Sequence, residues 1–310
     1  MQFSDICSTY IPADWNLHSL GELTTKIGSG ITPTGGEKVY KFKGHPFVRS
    51  QNVGNGSLLL DNIVYIDDRI HNRFRSTEIK SGDVLLNITG ASIGRSAVAN
   101  DFLVGGNINQ HVCILRPNNN ILNPHFLSFF LLSNQGQKQI DSYQAGGNRQ
   151  GLNNNQVRSI KIPVPSIDEQ RAIAEVLIDV DNLLLSLEEL IAKKRAIKQA
   201  VMQALLLDNH KNFPLKREWK SVQLNELAVI SRGSMITEKE IIIGDIPVVA
   251  GGREPAYYHN EANRIGKTIT ISGSGENAGF VNFYTVPIFA SDCSTISEGK
   301  KYSIEFLYYL

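Results

Sequence analysis

This chain repeats itself once, at long range. Asp14, Trp15, Leu20, Glu22 and Leu23 recur as Glu218, Trp219, Leu224, Glu226 and Leu227, an offset of 204. Phe126 and Leu127 recur as Phe306 and Leu307, at an offset of 180, and Leu131 is answered by Leu310 at 179. Solenoid units are about 20–50 residues long, so a period this large marks a duplicated domain. The smaller second offset means that one copy is shorter between its matching ends: the frame is duplicated while its filling has diverged. Such a chain suits the recognition of two different things with one scaffold.

A length of 310 residues accommodates two domains, each with a core of its own. No run of about 18 apolar residues lacks charge, and the N-terminus MQFSDICSTY has neither a basic leader nor an apolar signal segment. The expectation is a soluble, cytoplasmic chain that does not engage a membrane. Cys7, Cys113 and Cys293 are odd in number and scattered, which fits a reducing compartment and offers no zinc spacing. Histidines and carboxylates are dispersed without metal or triad spacing, so no metal, cofactor or catalytic group is expected.

The formal charge of +1 carries little meaning alone, because a protein that grips nucleic acid shows a local basic face rather than a basic total. Local clusters are present. Lys41, Lys43, Arg49, Arg69, Arg73 and Arg75 punctuate the first repeat. Lys193, Lys194, Arg195 and Lys198 fall on a predicted helix, and Lys211, Lys216, Arg217 and Lys220 open the second repeat.

Residues 15–165 mix short β-like runs with Gly and Asn turn signals: 46–49, 58–60, 63–66, 83–88 and 111–115. Asn123-Pro124-His125-Phe126 opens an apolar helix expected to reach about Gln139, with Asn as the N-cap and Pro in the first turn. The segment is an α+β domain with long polar loops. Pro163-Val164-Pro165 then forces extended backbone, and Ser166 or Asp168 can cap a helix that starts there. From Asp168 to Leu207 there is neither Gly nor Pro, and Ile173, Leu177, Val180, Leu184, Leu187 and Ile191 recur at alternating intervals of four and three. That is a heptad-like seam, which slips after Lys194 and continues through Ile197, Val201 and Leu205. At 1.5 Å per residue the helix is about 60 Å long and needs a partner helix for its seam.

The predicted organisation is a first domain at 1–165, a spacer helix at 166–207, a polar linker at 208–218 and a second domain at 219–310. Strand-like runs in the last are 246–250, 268–271 and 278–284. The second repeat stops at Leu310, inside the counterpart of the helix that begins at Asn123, so a second long helix is expected to be missing from it.

These features together resemble the specificity subunit of type I restriction-modification systems. The stretch IPVPSIDEQRAIAEVLIDVDNLL at 162–184 is similar to the start of the family's conserved spacer helix. Trp15-Asn-Leu-His-Ser-Leu-Gly-Glu-Leu and Trp219-Lys-Ser-Val-Gln-Leu-Asn-Glu-Leu resemble its domain openings, as does the Gly-rich segment 146–152. The resemblance implies an α+β fold of two duplicated target recognition domains separated by a long coiled-coil-like spacer helix. Each domain would read one half of a bipartite site on double-stranded DNA. It implies partners as well: two methyltransferase (M) subunits that modify adenine N6, and a restriction (R) subunit that translocates and cleaves. The specificity subunit itself would carry no chemistry and no cofactor. The shortened second repeat leaves two readings, a fragment or truncated allele, and a homodimer in which helix 168–207 pairs with its twin to supply the missing partner.

Bases are read by Arg bidentate to guanine and by Asn or Gln bidentate to adenine, whereas phosphate contacts set position. Long loops that carry these side chains are what a reader needs. The first domain offers Arg49, Gln51 and Asn52; Asn107, Asn109 and Gln110; Asn148, Arg149 and Gln150; and Arg95 after the turn Thr89–Gly94. The second offers Arg253, Tyr257, Tyr258 and Arg264 around Gly251-Gly252. Turn chemistry alone also places Asn in loops. The run 272–279 lacks the Lys-Ser/Thr ending of a nucleotide-binding P-loop and does not match G-x-G-x-x-G before a helix.

Two rival classes compete. Asn123-Pro124-His125-Phe126 superficially resembles the Asn-Pro-Pro-Tyr/Phe motif of adenine N6-methyltransferases. Its second Pro is His125, however, no Gly-rich cofactor motif precedes it, and 303–306 preserves no trace of it. A scaffold that binds no DNA, built on the long helix alone, is the other.

Overall fold

The computed structural model describes residues 12, 14–144, 151–206, 220–300 and 302–310. The chain divides into two compact units, Met1–Leu187 and Glu188–Leu310, with the division inside the long helix.

In the first unit the strands are β1 (Asn16–Ser19), β2 (Thr24–Ser29), β3 (His45–Val48), β4 (Val64–Ile66), β5 (Val84–Asn87), β6 (Ser96–Val98), β7 (Asn107–Ile108), β8 (Val112–Pro117) and β9 (Lys161–Val164). One sheet has the order β2-β8-β5-β6, antiparallel throughout; a second has the order β4-β3-β7, with β3 and β7 parallel. The central strands are buried on both faces, which explains why 83–88 and 111–115 read as continuous apolar runs rather than alternating ones. Val84, Leu86, Cys113 and Leu115 enter one core, shared with Phe126, Leu127 and Leu131. Leu85, Val112 and Ile114 enter a second core on the other face, with Val48 and Ile108.

The helices of this unit are α1 (Leu20–Leu23), α2 (Asp68–Arg73), α3 (Pro124–Leu132), α4 (Asn134–Ser142) and α5 (Asn154–Ser159). The single helix expected from Asn123 to about Gln139 is two. Ser133 leaves helical geometry with ψ 160° and its hydroxyl accepts the Gly136 N–H, starting α4 afresh. Gly136 passes so close to α3 that a Cβ there would lie 2.3 Å from the Phe130 carbonyl oxygen. The run 58–60 is not a strand; only Leu58 forms a bridge, to Val53.

The long helix α6 spans Ile167–Leu206, 40 residues, beside the expected 168–207. Ser166 caps it by accepting the Glu169 N–H. Ile173 packs on the first core, and Gln170 and Ala174 are the buried residues of the helix. Of the remaining seam, Leu177, Val180, Leu184, Leu187 and Ile191 stand exposed, Leu184 by 54%.

The second unit contains α7 (Leu224–Leu227), β10 (Ile230–Arg232), β11 (Ile246–Val249), β12 (Tyr257–His259), β13 (Thr268–Ser272), β14 (Val281–Tyr284), β15 (Phe289–Ala290), β16 (Cys293–Ser297) and α8 (Ile304–Tyr309). Its sheets have the orders β10-β16-β13-β14 and β12-β11-β15, with β11 and β15 parallel. These orders repeat those of the first unit's two larger sheets; the antiparallel β1-β9 pair of the first unit has no counterpart among the described residues. The expected α+β class, with two like mixed domains and a long helix between them in the chain, is what the protein adopts.

Candidate nucleic-acid interface

The duplicated frame holds polar loops at the same place in both units. In the first, the backbone after β3 turns at Ser50–Asn52, the β5–β6 connection turns at Gly90–Ser92, and the β7–β8 connection turns at 109–111. Together they enclose an open groove of about 430 Å³ lined by Ser50, Gln51, Thr89, Ser92, Arg95 and His111.

Asn87 is the tie beneath it. At the end of β5 and fully buried, its amide donates to the Ser50 carbonyl at 2.8 Å and to the Ser92 hydroxyl at 3.1 Å. Its Oδ1 and the Nε of Arg49 are the buried side-chain polar atoms without a partner among the described residues. On the groove's far wall Thr89 Oγ1 and His111 Nδ1 are 2.6 Å apart, and Gln110 Nε2 lies 3.3 Å from His111 Nε2.

Gln51, Arg95 and Gln110 are exposed, and the first two line the groove. Asn109 is half-buried; its Oδ1 accepts the His111 N–H and shapes the turn. Arg49 is also half-buried, with its guanidinium 5.5 Å over the Tyr40 ring and Nη2 donating to the Asn62 carbonyl. Asn52 and Asn107 lie inside the domain instead. The Asn52 amide accepts from the Arg49 N–H and donates to the Leu59 carbonyl. Asn107 donates to the Phe74 carbonyl and the Thr77 hydroxyl, and its Oδ1 lies 2.8 Å from His71 Nδ1. In this conformation both are loop supports with no free amide for a base. Asn148, Arg149 and Gln150 lie outside the described residues; Gly151, just after them, bridges Thr89 at the groove.

The second unit repeats the tie with different residues. Ser272, at the end of β13, donates to the Gly251 carbonyl at 3.0 Å, as Asn87 does to Ser50. The Gly279 N–H donates to Ser272 as Gly94 does to Asn87, and both glycines have positive φ, 84° and 85°. Arg253 is exposed, 5.5 Å over the ring of Phe280, which occupies the position of Arg95. Tyr257 and Tyr258 are exposed on the edge strand β12. Arg264 is consumed internally: it donates to Thr295 Oγ1 and to the carbonyls of Asn263 and Arg232. Asn87 and Ser272 close apolar runs just before a turn, where turn chemistry alone accounts for either residue type; the matching position in both repeats is the available signal.

The Asn123 side chain accepts the N–H groups of His125 and Phe126 and caps α3, and Ser303 caps α8 by accepting the Phe306 N–H. The methyltransferase-like tetrapeptide is therefore a helix start.

Two like α+β units, each presenting polar loops over a buried tie and sharing one continuous helix, define a duplicated recognition protein. The family model of the type I restriction modification DNA specificity domain matches residues 12–199, and the chain belongs to that family. The putative type I restriction enzyme MjaX specificity subunit of Methanocaldococcus jannaschii is 28% identical over 231 residues, covering 69% of this chain and 52% of the relative. The EcoKI specificity subunit of Escherichia coli K12 is 24% identical over 227 residues, covering 69% and 46%. The chain thus spans about half the length of the curated relatives it matches. In fold it is similar to the S subunit of a type I restriction-modification system from M. genitalium, with a TM-score of 0.64 at 17% identity over 98% of this chain and 78% of that one. The HsdS subunit from Thermoanaerobacter tengcongensis gives 0.54 at 19% identity over 98% and 80%.

Proposed function

We propose that this chain is the DNA-reading, non-catalytic specificity subunit of a type I restriction-modification complex. Residues 1–165 form one target recognition domain and 219–310 belong to a second, with 166–207 as the spacer helix and 208–218 as a linker. Each domain reads one half of a bipartite site, and α6 sets their separation. The observation that carries this reading is the repeated loop architecture: the Asn87 and Ser272 ties hold different side chains in one frame, as two different half-sites require. Gln51, Arg95 and Gln110 in the first domain, and Arg253, Tyr257 and Tyr258 in the second, are the base and backbone contacts. Methylation and cleavage fall to methyltransferase and restriction subunits in the cytoplasm, and the chain itself uses no cofactor. Among the described residues no helix is long and apolar enough to cross a membrane.

The exposed stripe Leu177, Val180, Leu184, Leu187 and Ile191 supports a helical partner for α6. A second copy of this chain is one source of that helix; the site read would then be palindromic, because a dimer of this kind has a two-fold axis.

The test is to reconstitute the chain with its methyltransferase subunit and select duplexes from a random DNA library at a stated salt concentration. Two defined sequence blocks with a fixed gap are expected. Insertions within 180–200 then change the gap and leave both blocks intact; an unchanged gap rejects the ruler. No enrichment with the methyltransferase subunit bound rejects DNA reading.

A further inference from the structure

The first unit has a second concavity, about 320 Å³, that base reading leaves without a role. Lys38, Lys41, Arg69 and Arg73 line it, brought together from two chain segments around a floor that includes Phe74. The acid in the lining is Asp67, whose carboxylate is engaged in accepting the Ile70 N–H at 2.9 Å and capping α2. The neighbouring Asp68 is turned to His45, with Oδ1 2.9 Å from Nε2. None of the four cations enters an ion pair among the described residues. With one carboxylate among four exposed cations the lining stays net positive, and an anion seated there relieves part of their mutual repulsion. Guanidinium groups match the oxygens of a phosphate in paired hydrogen bonds, and lysines add point charge.

The hollow and the groove are linked through two contacts. Tyr40, between the lining residues Val39 and Lys41, lies under the guanidinium of Arg49, which directly precedes Ser50 and Gln51. The Gln110 N–H donates to the Ile31 carbonyl at 3.1 Å, which sets the loop leading to Pro33 and Thr34 against the groove's far wall.

We propose that this basic hollow seats a phosphate of the DNA backbone and fixes the register of the duplex over the groove without reading any base. The proposal rests on the first domain being a DNA reader. Contacts of this kind weaken binding to all sequences alike when removed, and each contributes about one unit to the salt dependence of affinity.

The test compares the reconstituted complex of the full chain and its methyltransferase subunit with the same complex carrying K41Q, R73Q or R73K. Affinity for the selected duplex and for a scrambled one is followed by anisotropy across potassium chloride concentrations. K41Q and R73Q are expected to lower both affinities by the same factor and to flatten the slope of log K against log salt by about one each, while R73K retains most of the slope. R95Q serves as contrast and narrows the difference between selected and scrambled duplex. Wild-type binding with slopes unchanged in K41Q and R73Q overturns the phosphate seat and leaves the DNA reading intact. A wild-type complex that binds neither duplex overturns both. Inorganic phosphate without DNA is expected to give no more thermal stabilisation than potassium chloride at matched ionic strength. A saturable stabilisation that R73Q abolishes, together with DNA salt slopes unchanged in K41Q and R73Q, assigns the hollow to free phosphate and overturns the DNA assignment.

Discussion

Gln170 fastens the long helix to the first domain through Asn123: its Oε1 accepts the Asn123 N–H at 2.8 Å, while its amide donates to the carbonyls of Ile121 and Pro165, both at 3.0 Å. Gln170 is fully buried. At the preceding residue Glu169 Oε1 accepts from Trp15 Nε1 at 3.3 Å, and the Trp15 ring meets Phe126 edge to face. The repeat opening, the start of α3 and the start of α6 thus meet at one joint. Replacing Gln170 by Leu leaves buried backbone groups unpaired and is expected to cost about 1–3 kcal/mol. The measurement is the urea midpoint, which falls at unchanged slope.

A second joint locks the β5–β8 sheet. Asp83, with its side chain fully buried, takes two hydrogen bonds from Arg116, Nε to Oδ1 at 2.7 Å and Nη2 to Oδ2 at 2.8 Å, and a third from the Lys80 N–H. The hydrogen bond it donates to Asp83 holds the Arg116 guanidinium above its ordinary pKa. D83A strands that cation, and removing one partner of a buried pair costs roughly 3–5 kcal/mol. Because Arg116 keeps 21% of its side chain in solvent, the low end is expected, read from urea unfolding.

Gly30 and Gly233 occupy matching positions after β2 and β10. A Cβ at either would stand 2.0 Å from a carbonyl oxygen, that of Ile108 in one unit and of Ser291 in the other. G30A and G233A are each expected to destabilise by about 1–3 kcal/mol or more. Hydrogen exchange localises the loss: G30A lowers protection in the first unit, G233A in the second.

Asn87→Ala removes the tie between Ser50 and Ser92. Duplex selection with this variant should degrade the sequence block read by the first domain while the second block keeps its definition. Equal loss in both blocks would mean that Asn87 supports the whole chain rather than one groove.

Burial pushes the Cys113 thiol up to about 12, from an ordinary 9.0. The folded state favours the neutral thiol, so its contribution to stability is complete below the ordinary value and is lost as pH rises through about 12. At pH 8 Cys113 is expected to resist alkylation until the chain unfolds, which peptide mass spectrometry after timed labelling reports.

The frame was legible because it is written in local signals. Asn123-Pro124 predicted a cap, and Ser133 hid a second one because a serine inside an apolar-to-polar run looks like a helix residue until Gly136 is seen packed on Phe130. β5 and β8 showed as apolar runs. β7, β10 and β15 are two or three residues long, too short for a periodic pattern to show; pairing with distant strands makes them, and propensity does not.

The sequence by itself determined the duplication, the class of fold and the extent of α6, because repeated motifs and a run from Asp168 to Leu207 without Gly or Pro are legible without knowledge of what touches what. Only the tertiary structure decided which polar residues are available to a ligand. Asn52, Asn107 and Arg264 have the chemistry of base readers, but their hydrogen bonds are taken inside the fold. Gln51 and Arg95, of the same chemistry, line an open groove. Whether a side chain faces its own backbone or solvent depends on strand partners distant in the chain, and no local pattern encodes that.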